Sequence, residues 1–148
     1  MTANLHAPKV DAWLARSAEG ASREALLRLF EAGFGALWAR TKTTLGEVTL
    51  TAIADRVLHS AAEKFSLFAT LTVDPVHGIQ CRELRARIAS VEGSQLKPAM
   101  RFVLVEFLTV LGTLTAEILT PELHAELASV ELPKTASVDE AGGKEKKS

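Results

Sequence analysis

Three side chains on one predicted helix have the types and spacing of a metal site. Asp55, His59 and Glu63 follow one another at intervals of four residues, so they lie on one helical face. An imidazole and two carboxylates suit a divalent cation, although helix-borne sites usually take further ligands from a second helix. The alternative is a solvated face on which the two acids favour the charged form of His59.

A second polar set lies on the most apolar predicted helix and consists of Glu106, Thr109, Thr113 and Glu117. Buried carboxylates are costly unless they are paired. We therefore expect this seam to face solvent, to meet arginines or histidines from other helices, or to line a ligand cavity. The arginines available for such pairing are Arg56, Arg82, Arg85 and Arg101. In a bundle core such a seam can also fix the register of a dimer.

Cys81 is a candidate reactive thiol. Arg82, Arg85 and Arg87 follow it closely, and neighbouring cations lower the pKa of a thiol. The alternative is burial of Cys81 as a small apolar residue. Its proximity to His77 in sequence carries little weight, because catalytic pairs are brought together by the fold. The motifs G-x-S-x-G, H-E-x-x-H, G-x-x-x-x-G-K-[ST] and G-x-G-x-x-G are absent, so we expect a protein that is not an enzyme.

Two weaker patterns concern haem and DNA. His59, His77 and His124 are candidate axial haem ligands, but C-x-x-C-H is absent and we expect no cofactor. The segment 50–65 resembles a repressor-type helix-turn-helix, although Leu58 stands where the turn usually has glycine. Its second helix would offer few groups to DNA, so nucleic-acid binding is not expected.

Helices must position these candidates. Apolar residues recur at helical spacing in six segments, at 10–19, 22–40, 44–69, 79–89, 94–119 and 120–132. Ser22 is a predicted N-cap, and Thr44 and Glu47 form a predicted capping box after a polar joint at 41–44. Thr120 is the predicted N-cap of the last helix, with Pro121 at its first position. Residues 71–73 are β-prone, a loop follows at 74–78, and Gly33 and Gly35 suggest a close helix contact or a kink.

The predicted fold is all-α, a single-domain antiparallel bundle of about five to six helices over residues 1–132. Its central element is the apolar helix near 95–119, because only a buried helix is apolar on nearly all sides. A membrane span over 102–119 is the alternative, but its carboxylates and weak flanking charges disfavour it. The segment 133–148 is polar and glycine-containing, and is predicted to be a disordered tail.

Composition narrows the function. The chain has 148 residues, 47% of them hydrophobic and 24% charged, with a net charge of −1. This balance gives no field that attracts nucleic acid or an anionic membrane. The mean hydropathy of +0.14 is high for a small domain, so we expect burial against a second copy or a protein partner. One cysteine and no apolar leader indicate the cytoplasm.

These observations predict a non-enzymatic helical interaction or regulatory module, in signalling or scaffolding, that binds itself or a protein partner. Its predicted partner or dimer face consists of Trp38, Phe102, Phe107 and Leu111. One alternative is a sensor that holds a small molecule or cofactor in a pocket between helices. The other is a DNA-binding regulator.

Overall fold

The computed structural model describes residues 5–91 and 93–131, which form a mostly α-helical single domain, as predicted. The predicted tail at 133–148, with its boundary after residue 132, lies outside the described residues. The elements are α1 (Ala7–Ser17), α2 (Arg23–Leu45), α3 (Glu47–Lys64), β1 (Thr72–Asp74), β2 (Gly78–Gln80), α4 (Arg82–Ala86), α5 (Gly93–Leu114) and α6 (Thr120–Ala128).

The apolar helix α5 lies at the centre of the fold, as its composition predicts. It packs against α1, α2, α3 and α6. Leu104, Phe107, Leu108 and Leu111 are fully buried, and the ring of Phe107 lies 4.4 Å from that of Phe34 on α2. Because four helices surround α5, apolar residues occupy most of its circumference.

The end of α5 differs from the prediction, because the helix stops at Leu114 and not near residue 119. Ala116 and Glu117 adopt positive φ angles of 53° and 64°, and the Glu117 N–H donates to the Gly112 carbonyl at 2.7 Å. Such left-handed residues reverse the chain after a helix. The segment considered as a membrane span is therefore broken by a turn. Over 5–91 and 93–131, no helix has the length and apolarity needed to cross a membrane.

Ser22 caps α2, as predicted. Its hydroxyl oxygen accepts a hydrogen bond from the Ala25 N–H at 3.1 Å. This bond satisfies one of the free amide groups in the first helical turn. The cap depends only on residues within one turn, so the local sequence was enough to identify it.

The polar joint predicted at 41–44 is wrong, because α2 continues through it to Leu45. Thr41 is buried, and its hydroxyl donates to the Leu37 carbonyl at 2.8 Å, so its polarity does not interrupt the helix. Gly46, at φ 86°, separates α2 from α3. The predicted capping box is also wrong, since Thr44 lies inside α2 and α3 has no side-chain cap. Thr120 is not the predicted N-cap of α6 either, because it lies inside the helix and its hydroxyl donates to Glu117.

The single apolar stripe predicted from Val48 to Phe68 is interrupted at the end of α3. Phe65 has an extended backbone, and a 3-10 turn over Ser66–Thr70 follows it. Val48 is 86% exposed instead of buried. The first turn of α3 therefore presents an apolar side chain to solvent.

A short antiparallel hairpin joins α3 to α4. Its strands β1 and β2 pair with Val73 opposite Ile79. The β-prone run and the loop were predicted, but the helix predicted from residue 79 is wrong there. The hairpin is held against the core by Trp38, whose indole N–H donates to the Pro75 carbonyl at 3.2 Å. Gly78, at φ 92°, lies against the same ring.

Gly33 makes the close helix contact that its position in α2 indicated. A Cβ on Gly33 would lie 2.8 Å from the ring of Trp13 on α1 and 3.2 Å from Leu127 on α6. Beyond its chain neighbours and its own helix backbone, Gly35, two residues later, has no heavy atom within 4 Å of its Cβ position. The two glycines therefore differ, and only Gly33 is required by packing.

Candidate functional site

An open groove runs between α3 and α5 on the protein surface. The helices are antiparallel, because Phe65 after the end of α3 contacts Phe102 near the start of α5, with 6.1 Å between ring centroids. The groove holds about 300 Å³ and has mostly apolar walls. We call it the α3–α5 groove, and its lining residues are Ala52, Ile53, Arg56, Val57, Ser60, Glu106, Val110 and Leu114.

Helical spacing explains the shape of the groove. On α3, Ile53 and Val57 are one turn apart and are buried. Ala52 and Arg56 precede them by one residue each and are exposed at the outer edge. Ala52 and Ser60 have small side chains, so the outer edges of the two helices do not close over the space between them.

Arg56 and Glu106 supply the charges in the groove, one from each helix. Arg56 is one of the arginines that the sequence offered as partners for the polar seam, and the structure places it in the same groove as Glu106. Neither takes part in an ion pair within the described ranges. The groove thus offers one cation and one anion to whatever molecule covers it.

Exposed apolar side chains continue the groove at one end. Leu114, in the last turn of α5, is 58% exposed. Val48 lies one helical turn before Ala52 on α3 and therefore at the same end. Clustered apolar side chains on a protein surface mark association sites. We call the α3–α5 groove together with Val48 the association face.

The partner face predicted from the sequence is mostly buried. Trp38, Phe107 and Leu111 lie in the core, where they hold the helices of one chain together. The prediction that they anchor a partner is therefore wrong for this fold. Only Phe102 is partly exposed, and it lies at the far end of the α3–α5 pair under the ammonium group of Lys64, 5.3 Å from the ring centroid.

The predicted polar seam divides into two parts. Glu106 lines the α3–α5 groove, and the hydroxyl of Thr109 donates to the Val105 carbonyl at 2.7 Å. Thr113 is exposed near the helix end. Glu117 is not on the same helical face, because the turn after α5 redirects it. Of the seam, only Glu106 contributes to this groove.

Asp55, His59 and Glu63 form a solvated face of α3. His59 Nε2 lies 3.4 Å from Glu63 Oε2, and both side chains are largely exposed. Among the described residues, no group of three or more His, Cys, Asp or Glu side chains is arranged to hold a metal ion. The predicted metal face is therefore wrong, because one helix alone does not close a coordination sphere around the ion.

Cys81 is buried, which contradicts the prediction of a reactive thiol. Burial raises the pKa of the Cys81 thiol far above its usual range, and the Glu31 carboxylate raises it further. Arg85 acts in the opposite direction, but it is bound to Glu31 in an ion pair. The Glu31 carboxylate thus opposes the lowering of the Cys81 pKa that the arginines were expected to cause.

The helix-turn-helix interpretation of residues 50–65 is wrong. Residues from Glu47 to Lys64 form one uninterrupted helix, so Leu58 lies in mid-helix and is buried. A turn at that position is needed to present a recognition helix. The DNA-binding alternative depended on a helix-turn-helix in this segment, and residues 47–64 do not form one.

Two histidines considered as haem ligands have carboxylate partners nearby. His77 Nδ1 lies 2.6 Å from Asp74 Oδ2 in the hairpin turn. This hydrogen bond lowers the pKa of Asp74. The partner of His59 is Glu63, on the same helix.

The third haem candidate, His124, belongs to a cluster that the sequence did not reveal. His6 Nδ1 lies 2.9 Å from His124 Nε2, and His6 Nε2 lies 3.6 Å from Glu117 Oε1. The Thr120 hydroxyl donates to the same carboxylate oxygen of Glu117. Because His6 and His124 are 118 positions apart, no local pattern joins them.

Comparison of the chain with protein-family models, with curated proteins and with solved structures finds no match in any of the three.

Proposed function

We propose that this protein is a non-enzymatic helical module that self-associates through the association face. One observation carries the proposal: an apolar groove, open to solvent, contains the oppositely charged Arg56 and Glu106 and continues into the exposed Leu114 and Val48. Such a surface is self-complementary in both hydrophobicity and charge. A role in signalling or scaffolding in the cytoplasm, the compartment expected for a single free thiol, belongs to the same proposal.

The symmetry of a dimer fits this face. A two-fold axis in the interface plane, parallel to the groove, places α3 of one copy over α5 of the other at the same height. Arg56 then lies about one helical turn from Glu106 of the partner subunit, a separation that two long side chains span, and the reverse contact follows from symmetry. Each dimer gains two ion pairs from groups that are unpaired within one described chain.

Apolar burial supplies the main driving force in this arrangement. Removing apolar surface from water contributes about 25 cal/mol per Å² before the costs of association are subtracted. Leu114 and Val48 are the most exposed apolar side chains of the face, so they gain most from being covered. The charged pairs determine the orientation of the two copies more than the affinity.

A second candidate function is the binding of a small amphiphilic molecule in the same groove. Its support is the groove volume of about 300 Å³, with apolar walls and two charged groups. Ligand pockets occupy about 300–1,000 Å³, so this groove is at the lower limit. Extra mass in native mass spectrometry that disappears on unfolding would favour this function.

Sedimentation velocity over a range of protein concentrations tests self-association. We expect the wild type to reach twice 15.9 kDa as concentration rises. Leu114→Glu places a charge in the face and should leave a monomer. The matched control is Val76→Glu, because Val76 is 53% exposed, close to the 58% of Leu114, but lies in the hairpin. A wild type that stays monomeric, or equal effects of both substitutions, would contradict the proposal.

A further inference from the structure

The start of α1 is joined to α6 through two imidazole rings. His6, just before α1, is 3% exposed, and its ring meets that of His124 edge to face, with 5.0 Å between centroids. The His6 Nδ1 and His124 Nε2 atoms are 2.9 Å apart, which is hydrogen-bond distance. One of these two ring nitrogens must therefore carry a hydrogen and donate the hydrogen bond, and the other must accept it.

The number of protons that the pair can hold is limited. With both rings neutral, one N–H donates to the lone pair of the other ring. One added proton is also tolerated, because a charged His6 could donate towards both His124 and Glu117. With two added protons both facing nitrogens are donors, and the contact becomes repulsive.

The charged groups around the pair act in different directions. Burial lowers the pKa of both histidines, and it is the largest influence on each. Glu117, in the turn after α5, raises both pKa values. His6 and Lys9, from the α1 side, lower that of His124. The neutral forms are therefore favoured in the folded protein.

We propose that the His6–His124 contact is a pH-sensitive latch, which holds the first turn of α1 against α6 and opens when both imidazoles are protonated. The rest of α1 has other attachments. The Trp13 indole N–H donates to the Val130 carbonyl at 2.9 Å, and Arg101 binds Asp11. Opening is thus confined to the first turn, and the latch does not depend on self-association.

The direction of the pH effect follows from the lowered pKa values. Below the ordinary value of 6.5, the unfolded or opened segment binds more protons than the closed one. The His6–His124 contact therefore stabilises the closed first turn of α1 fully above pH 6.5. This stabilisation decreases as the pH falls below 6.5. Each unit by which a pKa is lowered corresponds to about a tenfold loss in the closing equilibrium.

One backbone amide reports directly on the latch. The Val10 N–H donates to the His6 carbonyl at 3.0 Å, so it is protected only while the first turn is closed. The Ala18 N–H donates to the Leu14 carbonyl at 2.8 Å at the other end of α1 and serves as the internal control. Hydrogen exchange of both amides, corrected for intrinsic rates, separates local opening from unfolding of the chain.

We expect the protection of Val10 to fall about tenfold between about pH 7.5 and about pH 5, while that of Ala18 changes little. His124→Gln keeps hydrogen-bonding groups but does not titrate, so it should reduce the pH dependence to the part that the burial of His6 contributes. The matched control His59→Gln changes an exposed histidine on α3 and should retain the full pH dependence. Unchanged protection of Val10 in the wild type, or the same loss in His124→Gln, would overturn the latch.

A second measurement requires no substitution. An NMR titration of the wild-type histidine side chains should show His6 and His124 protonating below the ordinary value of 6.5. Their shifts should also change together, because the two rings share a hydrogen bond. Titration of both rings at or above the ordinary value would overturn the proposal, whatever the behaviour of the variant.

Discussion

Gly112 and Glu117 are so close that a methyl group on Gly112 would lie 2.5 Å from the Oε1 atom of Glu117. The backbones of the same residues are joined, since the Glu117 N–H donates to the Gly112 carbonyl. The carboxylate folds back over the last turn of α5, where it accepts from Thr120 and lies near His6. Gly112 thus leaves space for the acid that links the end of α5 to the histidine pair.

Gly112→Ala should displace that carboxylate. Losing the hydrogen bond from Thr120 costs about 1 kcal/mol. Alanine favours the helix over glycine by about 1 kcal/mol, so the free energy of unfolding should change little. The pKa of His6 should fall further, because Glu117 raises it in the wild type. An NMR titration of His6 measures this change, and an unaltered titration would show that Glu117 had not moved.

The two glycines of α2 should respond in opposite directions to alanine. Gly33→Ala pushes a methyl group to 2.8 Å from the buried Trp13 ring, and such overpacking costs about 1–3 kcal/mol. Gly35→Ala meets no packing neighbour within 4 Å beyond its own helix backbone and chain neighbours, and should stabilise the helix by up to about 1 kcal/mol. Urea unfolding of both variants tests the pair, and equal effects would contradict the observed packing.

Cys81 should be inert in the folded protein. It is 1% exposed and its pKa is raised by burial, so an aromatic disulfide reagent should react only as fast as the chain opens. Complete reaction is expected in denaturant. Cys81→Ser should cost about 1–3 kcal/mol in the free energy of unfolding, because it buries a hydroxyl group in the core. Rapid stoichiometric reaction under native conditions would contradict the burial of this thiol.

The parts of the fold that were predictable depend on local patterns. The spacing of Leu26, Phe30 and Trp38 indicates α2, and Ser22 marks its start, because both signals lie within a few helical turns. The all-α class follows from several such segments. The central position of α5 follows from its apolar circumference.

The helix ends were harder to predict because they depend on unusual backbone or distant contacts. Thr41 is satisfied inside α2, so its polarity gave a false end. Ala116 and Glu117 adopt a conformation that favours glycine, and neither residue type signals it. The left-handed turn at Ala116 and Glu117 follows the end of α5 at Leu114, a residue that is exposed.

The candidate site was predictable only in part, for similar reasons. Glu106 was identified as part of a polar seam and Arg56 as one of several arginines available to it, and both line the α3–α5 groove. The predicted aromatic anchors failed because a periodic apolar pattern does not distinguish core from interface. The histidine cluster was missed because it joins His6 to His124 across most of the chain.

A charge exchange across the association face tests self-association most directly. Arg56→Glu and Glu106→Arg each place like charges opposite one another twice in a symmetric dimer. At about 1 kcal/mol for each altered pair, dimerisation measured by sedimentation should weaken by about thirtyfold in either variant. The double variant restores opposite charges and should recover most of the wild-type affinity. Single variants that dimerise like the wild type, or a double variant as weak as the singles, would contradict the proposed interface.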